Sequence, residues 1–242
     1  VIVPTHFKDP DCSICDDTGW KHVMKNGLSG VERCECFETR VSRSLASLSG
    51  IPPAFAEKRL ENFKAPGQVQ KQLLQFARAY LRMFPACTPP GIILGGPSGV
   101  GKTHIAAAIA TALIAKGHEC KFFDVQVLLE NARAEFDESS DAAGGATIAT
   151  AVEPLVVVLD DIGGRRPSPW LHDTLAAVLS ERFNNRRPTI ITTSLRDQHF
   201  GIDSPELIER IGARAHWKIF EMCQPFWMDG NDFRTQGSLP LK

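Results

Sequence analysis

The residues with the most pointed chemistry are Gly96-Pro97-Ser98-Gly99-Val100-Gly101-Lys102-Thr103. Glycines at this spacing let backbone N–H groups turn inward around phosphate oxygens, and a helix starting at the end of the run adds the positive end of its dipole. Lys102 is placed to reach the β- and γ-phosphates of a nucleotide such as ATP, and the Thr103 hydroxyl to ligate Mg²⁺. A second locus, Asp160-Asp161, closes the apolar run Leu155-Val156-Val157-Val158-Leu159. Asp160 is expected to hold the same Mg²⁺, through water, and Asp161 to orient or deprotonate an attacking water. The plainer alternative is that both acids cap the following turn. Thr189-Ile190-Ile191-Thr192-Thr193-Ser194 also ends in hydroxyls. These either bond a γ-phosphate or the lytic water, or cap the next helix.

A different chemistry stands near the N-terminus. Cys12-Ser13-Ile14-Cys15 and Cys34-Glu35-Cys36 bracket two short strand patterns, 21–24 and 28–33, joined by the turn signal Asn26-Gly27. A hairpin brings its ends together, and Cys34 and Cys36, read as extended, point to one side. Four thiolates converging this way suit a structural, tetrahedral Zn²⁺. His22 is a second-choice ligand, and four free thiols on a floppy arm are the alternative. Cys87, Cys120 and Cys223 are singletons, expected to be inert core filler.

The elements that must position these groups can be read around them. Ile92-Ile93-Leu94 precedes the glycine run as a strand, and Ile105, Ala108, Ile109, Ala112 and Leu113 follow it at helical spacing. A run as apolar as 155–159 needs both faces covered, as in a parallel α/β sheet, whose ligands gather at the strands' C-terminal ends. Further strands are expected at 121–125, 189–194 and 217–221, and helices at 68–84, 127–136, 170–183 and 204–215. The last helix carries Arg210 and Arg214 one turn apart, as a solvated stripe or a phosphate clamp. In 68–84 the aromatics, Tyr80 included, read as core rather than as an adenine platform. Residues 138–149 are small and polar and read as a mobile loop. A Ser-rich passage runs through Ser49-Gly50 to Ile51-Pro52-Pro53 and reads as a linker. The chain thus divides into a zinc-binding arm (1–40), a linker (41–66) and a nucleotide-binding domain (67–242).

With a net charge of −1 over 242 residues, the chain has no global pull toward nucleic acid. Strand contacts would fall to local pairs, Arg165 with Arg166 and Arg186 with Arg187, and would weaken as salt rises. No apolar run approaches the roughly 20 residues that span a bilayer, so no membrane partner is expected. Val1-Ile2-Val3-Pro4 is not a signal peptide, and a start without Met suggests that an upstream piece is missing. Seven cysteines, an odd number, beside a phosphate loop argue for a reducing cytoplasm rather than a disulfide framework.

Taken together, several segments resemble the DnaC/DnaI-type bacterial helicase loaders, AAA+ ATPases of the clade that contains the initiator DnaA. They are Gly96 to Thr103 followed by His104, Leu159-Asp160-Asp161-Ile162-Gly163, Pro167-Ser168-Pro169-Trp170, the stretch 181–190, and Glu209-Arg210-Ile211-Gly212-Ala213-Arg214. The similarity runs from about residue 51 to the end, and the cysteine arm is similar to the zinc region of DnaI-like members. The resemblance implies a five-stranded parallel sheet between helices, no C-terminal lid domain, and an ATP site shared between neighbouring subunits. It implies partners too: a replicative helicase, single-stranded DNA and further copies of the chain. By position, residues 96–104 and Asp160 bind nucleotide and metal, and Asp161 takes the acidic catalytic place. Arg214 matches the arginine finger that reaches a neighbour's γ-phosphate, Arg210 assists, and Ser194 takes the first sensor position. Two positions depart from the pattern: many AAA+ members carry Glu at the place of Asp161, and related loaders often carry Asn at that of Ser194. Slow hydrolysis follows, with ATP acting more as an assembly signal than as fuel.

The helper ATPases of IstB-type transposons share the same body and form the rival reading. A separate cysteine module suits partner docking and favours the loader. A small-molecule kinase would need an acceptor pocket and a mobile arginine-bearing lid. A zinc-dependent nucleic-acid binder with a vestigial ATPase would survive loss of Lys102.

Overall fold

The computed structural model describes residues 12–16, 18–25, 27–64, 67–138, 145–230 and 232–233. Strands β1 (Trp20–Lys25) and β2 (Leu28–Arg33) pair antiparallel, with Trp20 opposite Arg33 and Lys25 opposite Leu28. Helix α1 (Glu35–Leu48) leaves the hairpin directly and packs on α3 of the body. The body follows as α2 (Gln68–Met83), β3 (Gly91–Gly95), α3 (Lys102–Ala115), β4 (Cys120–Asp124), α4 (Val125–Glu138), α5 (Ala146–Val152) and β5 (Val156–Asp160). Then come α6 (Pro169–Asn184), β6 (Thr189–Thr193), α7 (Glu206–Ile211), α8 (Ala213–Met222) and β7 (Cys223–Trp227).

Strands β3 to β7 form one parallel sheet in the order β4-β5-β6-β3-β7. Alternation along each strand splits its apolar residues between two layers. Ile92, Leu94, Val156, Val158 and Ile190 pack with Leu73 of α2 and Ile105, Ile109 and Leu113 of α3. Ile93, Val157, Leu159 and Ile191 pack with Leu129 of α4, Leu175 and Leu179 of α6 and Ile219 of α8. Each fully buried Leu or Ile of this kind contributes about 1.5–3 kcal/mol. The buried runs thus force the covered, parallel arrangement that their composition demanded.

The strand order has a direct consequence for chemistry. β6 lies between β3 and β5, so the glycine loop after β3 and the acids after β5 are two strand spacings apart, roughly 10 Å. The C-terminal end of β6 fills the gap between them.

Four elements differ from the sequence expectation. Residues 217–221 lie in α8, not in a strand, because Ala215, His216, Ile219 and Met222 bury one helical face, and the last strand is β7. The helix expected over 204–215 is two helices, broken at Gly212, whose φ of 83° and ψ of 150° belong to glycine alone. A Cβ at Gly212 would also stand 2.9 Å from the ring of His172. The Ser-rich passage is helical through Leu48, since Arg40, Val41, Leu45 and Leu48 sustain a helical pattern before the turn at Ser49-Gly50. Within the stretch read as a mobile loop, Ala146–Val152 forms α5 and buries Ala151, while 139–144 lie outside the described residues.

Candidate nucleotide site and cysteine cluster

The glycine loop wraps its own lysine. Lys102, at the first turn of α3, is buried, and its Nζ donates to the carbonyls of Gly96 (2.7 Å) and Pro97 (2.8 Å). Gly101 holds φ 97°, and a Cβ there would stand 2.6 Å from the ring of Phe63, which closes the loop from the segment before α2. On its other side, residues 228–230 and 232–233 lie along the loop. The Met228 N–H donates to Gly95 O (2.8 Å), the Phe233 N–H to Gly99 O (3.2 Å), and a Cβ at Gly99 would strike the Asp232 carboxylate. Gln70 of α2 ties this strap down by donating to Asp229 O. Nothing in the spacing of the sequence marks residues after β7 as neighbours of the loop.

Across the gap, Thr103 donates its hydroxyl to Asp160, 3.0 Å from Oδ1 and 3.2 Å from Oδ2. Thr192, at the end of β6, donates to Asp160 Oδ1 at 2.6 Å and accepts the Asp161 N–H at 2.9 Å. Burial, and then the charges of Asp161 and Asp124, push the Asp160 carboxyl above its ordinary range against these two hydroxyl donors. Asp161 sits in the left-handed region at φ 58°, which Asp tolerates better than most residues. That turn presents its carboxylate to Ser194, whose hydroxyl donates to Oδ1 at 3.4 Å. A hydroxyl, two carboxylates and a charge deficit form a donor set suited to a hard, oxygen-seeking cation such as Mg²⁺.

Other expected site residues are placed differently. The His104 ring is engaged outside the loop, with Nε2 3.0 Å from Arg59 O and a T-shaped contact to Phe63, centroids 5.2 Å apart. Arg210 lies against Gly163, just beyond the acidic pair, and donates to Arg165 O at 3.1 Å. Arg214 is 81% exposed on α8 and meets Asp173 of α6 at 3.9 Å. Among the arginines expected to touch DNA, Arg165 pairs with Glu130 (3.2 Å) and Arg187 donates to Val152 O, while Arg166 and Arg186 are exposed. Tyr80 is core, donating to Pro90 O at 2.7 Å.

The four N-terminal cysteines converge. Cys12 Sγ is 3.7 Å from Cys34 Sγ, Cys15 Sγ is 3.4 Å from Cys36 Sγ, and all four sulfurs lie within 4.8 Å of one another. Tetrahedral Zn–S bonds of 2.3 Å place sulfurs about 3.8 Å apart, so the cluster fits a zinc ion. The route differs from the extended pair expected: Cys34 is the N-cap of α1 and Cys36 lies in its first turn. Burial and the neighbouring sulfurs push Cys36 up to about 12, whereas Cys15, against its burial, is drawn down to about 7 by the Gly19 N–H and then by those sulfurs. His22 is exposed on β1. Elsewhere Cys120 and Cys223 are buried in the core, and Cys87 is half-buried and donates to Tyr80 O.

Among the described residues, no helix is long and apolar enough to cross a membrane. A protein of Mycobacterium tuberculosis, named for ATP binding and for its insertion sequence, is 32% identical over 72% of this chain, which spans 65% of that relative's length. The replicative helicase loader DnaC of Escherichia coli is 25% identical over 71% of this chain and 70% of its own. A crystal structure of the DnaC helicase loader superposes with a TM-score of 0.66 at 29% identity, covering 74% of this chain and all of that one. The fold is thus that of the AAA+ P-loop ATPases, with a five-stranded parallel sheet. The IstB-like ATP binding protein family matches residues 39–204, and this chain belongs to it.

Proposed function

We propose that this protein is an ATP-controlled loader that assembles with a replicative helicase on single-stranded DNA. The observation that carries this reading is the cysteine module. It stands apart from the nucleotide site, exposes Trp20, Met24, Leu28 and Val31, and is joined to the ATPase body through α1. A small knob with an apolar surface, held by Zn²⁺ on Cys12, Cys15, Cys34 and Cys36, suits partner docking. The similarity to DnaC supports the same conclusion.

In this reading the loop from Gly96 to Thr103 cradles the triphosphate, and Lys102 exchanges two carbonyls for phosphate oxygens. Mg²⁺ supplies charge neutralisation there, held by Thr103 and Asp160. Asp161, steadied by Ser194, orients the attacking water. Arg210 stays beside its own acids, and Arg214, turned outward, completes the pocket of an adjoining copy. Asp161 reaches less far than Glu would, so turnover is slow until partners assemble. Turnover in the tens per second by the isolated protein, above the ~10 per second typical of enzymes, would contradict this.

A second reading, a helper ATPase for a transposase, is favoured by the higher identity to the insertion-sequence relative. Co-purification with the host replicative helicase, and in parallel with an insertion-sequence transposase, each with and without ATP and single-stranded DNA, separates the two. ATP-dependent retention of the helicase supports the loader, and retention of the transposase alone replaces it with the second reading.

A further inference from the structure

Arg214 has little to aim it. It is exposed, its neighbour Asp173 is nearly as exposed, and their 3.9 Å separation makes a weak, water-screened pair. Its direction is therefore set by the helix that carries it. α8 begins just after Gly212, where the chain reverses out of α7, so its hold on the body must come from its buried face.

That face is gripped by polar bonds as well as apolar packing. Asp197, three residues beyond Ser194, is 1% exposed, and each oxygen of its carboxylate meets an imidazole. Oδ2 is 2.7 Å from His216 Nε2 on α8, and Oδ1 is 2.8 Å from His199 Nδ1 while also accepting the His199 N–H at 2.9 Å. The His199 ring stacks on Phe220, one turn beyond His216 on the same helix, with centroids 4.0 Å apart and planes 12° from parallel. The segment after β6 therefore holds α8 at two successive turns. Apolar burial is non-directional, whereas a buried carboxylate–imidazole bond is directional and costly to break.

We infer that Asp197 and His216 are positioning residues for Arg214. The bond between them fixes the rotation of α8, and so the line along which the guanidinium leaves the body. Asp197 lies on the segment that starts at Ser194, which touches Asp161. Its bond therefore ties the polar end of one nucleotide site to the arginine presented to the next. This rests on Arg214 acting in a neighbouring pocket.

The test uses the whole 242-residue chain, with single-stranded DNA present, and four variants: His216→Ala, His216→Gln, Arg214→Ala and Asp161→Asn. His216→Ala is expected to lower the kcat of assembled protein on the order of ten- to a hundredfold, the scale of about 1 Å of misplacement, with ATP affinity unchanged. His216→Gln, which keeps a donor near the Nε2 position, should recover most of that loss. Mixing His216→Ala with Asp161→Asn should restore turnover. The first variant keeps a working pocket, and the second, which still holds ATP but lacks the acid that orients water, lends a correctly aimed Arg214. If Arg214→Ala stops turnover while His216→Ala does not, the inference falls and the arginine reading stands. If His216→Ala weakens ATP binding, or mixing fails to rescue it, the pair serves its own site and the inference falls. If Arg214→Ala itself leaves turnover intact, the arginine reading fails, and this inference with it.

Discussion

Thr192 donates its hydroxyl to Asp160 Oδ1 at 2.6 Å while its own Oγ1 accepts the Asp161 N–H at 2.9 Å. One side chain on the middle strand thus holds both acids of the neighbouring strand in register. Thr192→Val keeps the shape and removes both bonds, one of them to a charged group. It should destabilise the protein by about 1.5–3 kcal/mol, with Thr192→Ser close to the parent. Urea unfolding of the three proteins checks this.

Asp160 is held above the ordinary carboxylate range by burial and by Asp161 and Asp124, so its ionised form is disfavoured in the folded state. A carboxyl raised by folding lends stability below its unfolded pKa, near 3.9, and loses it as pH rises through the folded value. Asp160→Asn should therefore raise the melting temperature of the nucleotide-free protein near neutral pH, with the gain vanishing in acid. The same substitution should remove most of the thermal shift given by Mg²⁺ with ATP. Thermal melts at pH 4 and pH 7.5, with and without the nucleotide, measure both effects.

Asp197 shows the opposite behaviour. The His199 N–H and the two imidazoles draw its carboxyl down, overcoming burial. A depressed carboxyl stabilises the fold above its unfolded pKa, near 3.9, and that contribution fades as pH falls through the lower folded value. Asp197→Asn should lose stability at neutral pH and converge on the parent protein in acid, once the pH has fallen below the folded value. Denaturant midpoints across that range decide it.

Arg182 is a fully buried guanidinium with no carboxylate partner among the described residues. It donates to Thr189 Oγ1 (2.8 Å) and to the carbonyls of Ala151, Val152, Pro154, Leu155 and Pro188, and its burial lowers its pKa to about 9. It staples α6 to the chain entering β5 and β6. Arg182→Leu would leave several buried carbonyls unpaired and should cost at least about 3 kcal/mol. Arg182→Lys, with three donors and no planar fork, should recover only part of it.

If Zn²⁺ fills the cysteine cluster, metal analysis should find one equivalent per chain, and Cys34→Ser should abolish it. Acid should release the metal as the thiolates protonate, and chelation should melt the hairpin while leaving the ATPase body folded.

Strands β3 and β5 were legible because Ile92-Ile93-Leu94 and Val156 to Leu159 are unbroken runs of Val, Ile and Leu, and the glycine loop because its spacing is tied to one geometry. The acids at 160 and 161 were legible as the polar end of such a strand. What escaped depended on pairings between distant segments. Thr192 stood out only as one hydroxyl among several, because its role follows from β6 lying between β3 and β5, an order that local pattern does not encode. The strap formed by Met228, Asp229 and Phe233 and the Asp197–His216 bond are of the same kind. The strand expected at 217–221 had a local cause. Trp217, Ile219 and Phe220 give this five-residue window a strand-like composition, and only the longer pattern of Ala215, His216, Ile219 and Met222 reveals a helix.

The glycine between α7 and α8 has a consequence for the two arginines that flank it. On an unbroken helix, side chains four apart stack on one flank and must share surroundings. The elbow at Gly212 releases them from that rule: Arg210 folds back against the protein's own loop, and Arg214 is left facing outward. Any side chain at 212 would strain the elbow and press on His172. Two guanidiniums separated by three residues can thus answer to different molecules, one inside the protomer and one beyond it.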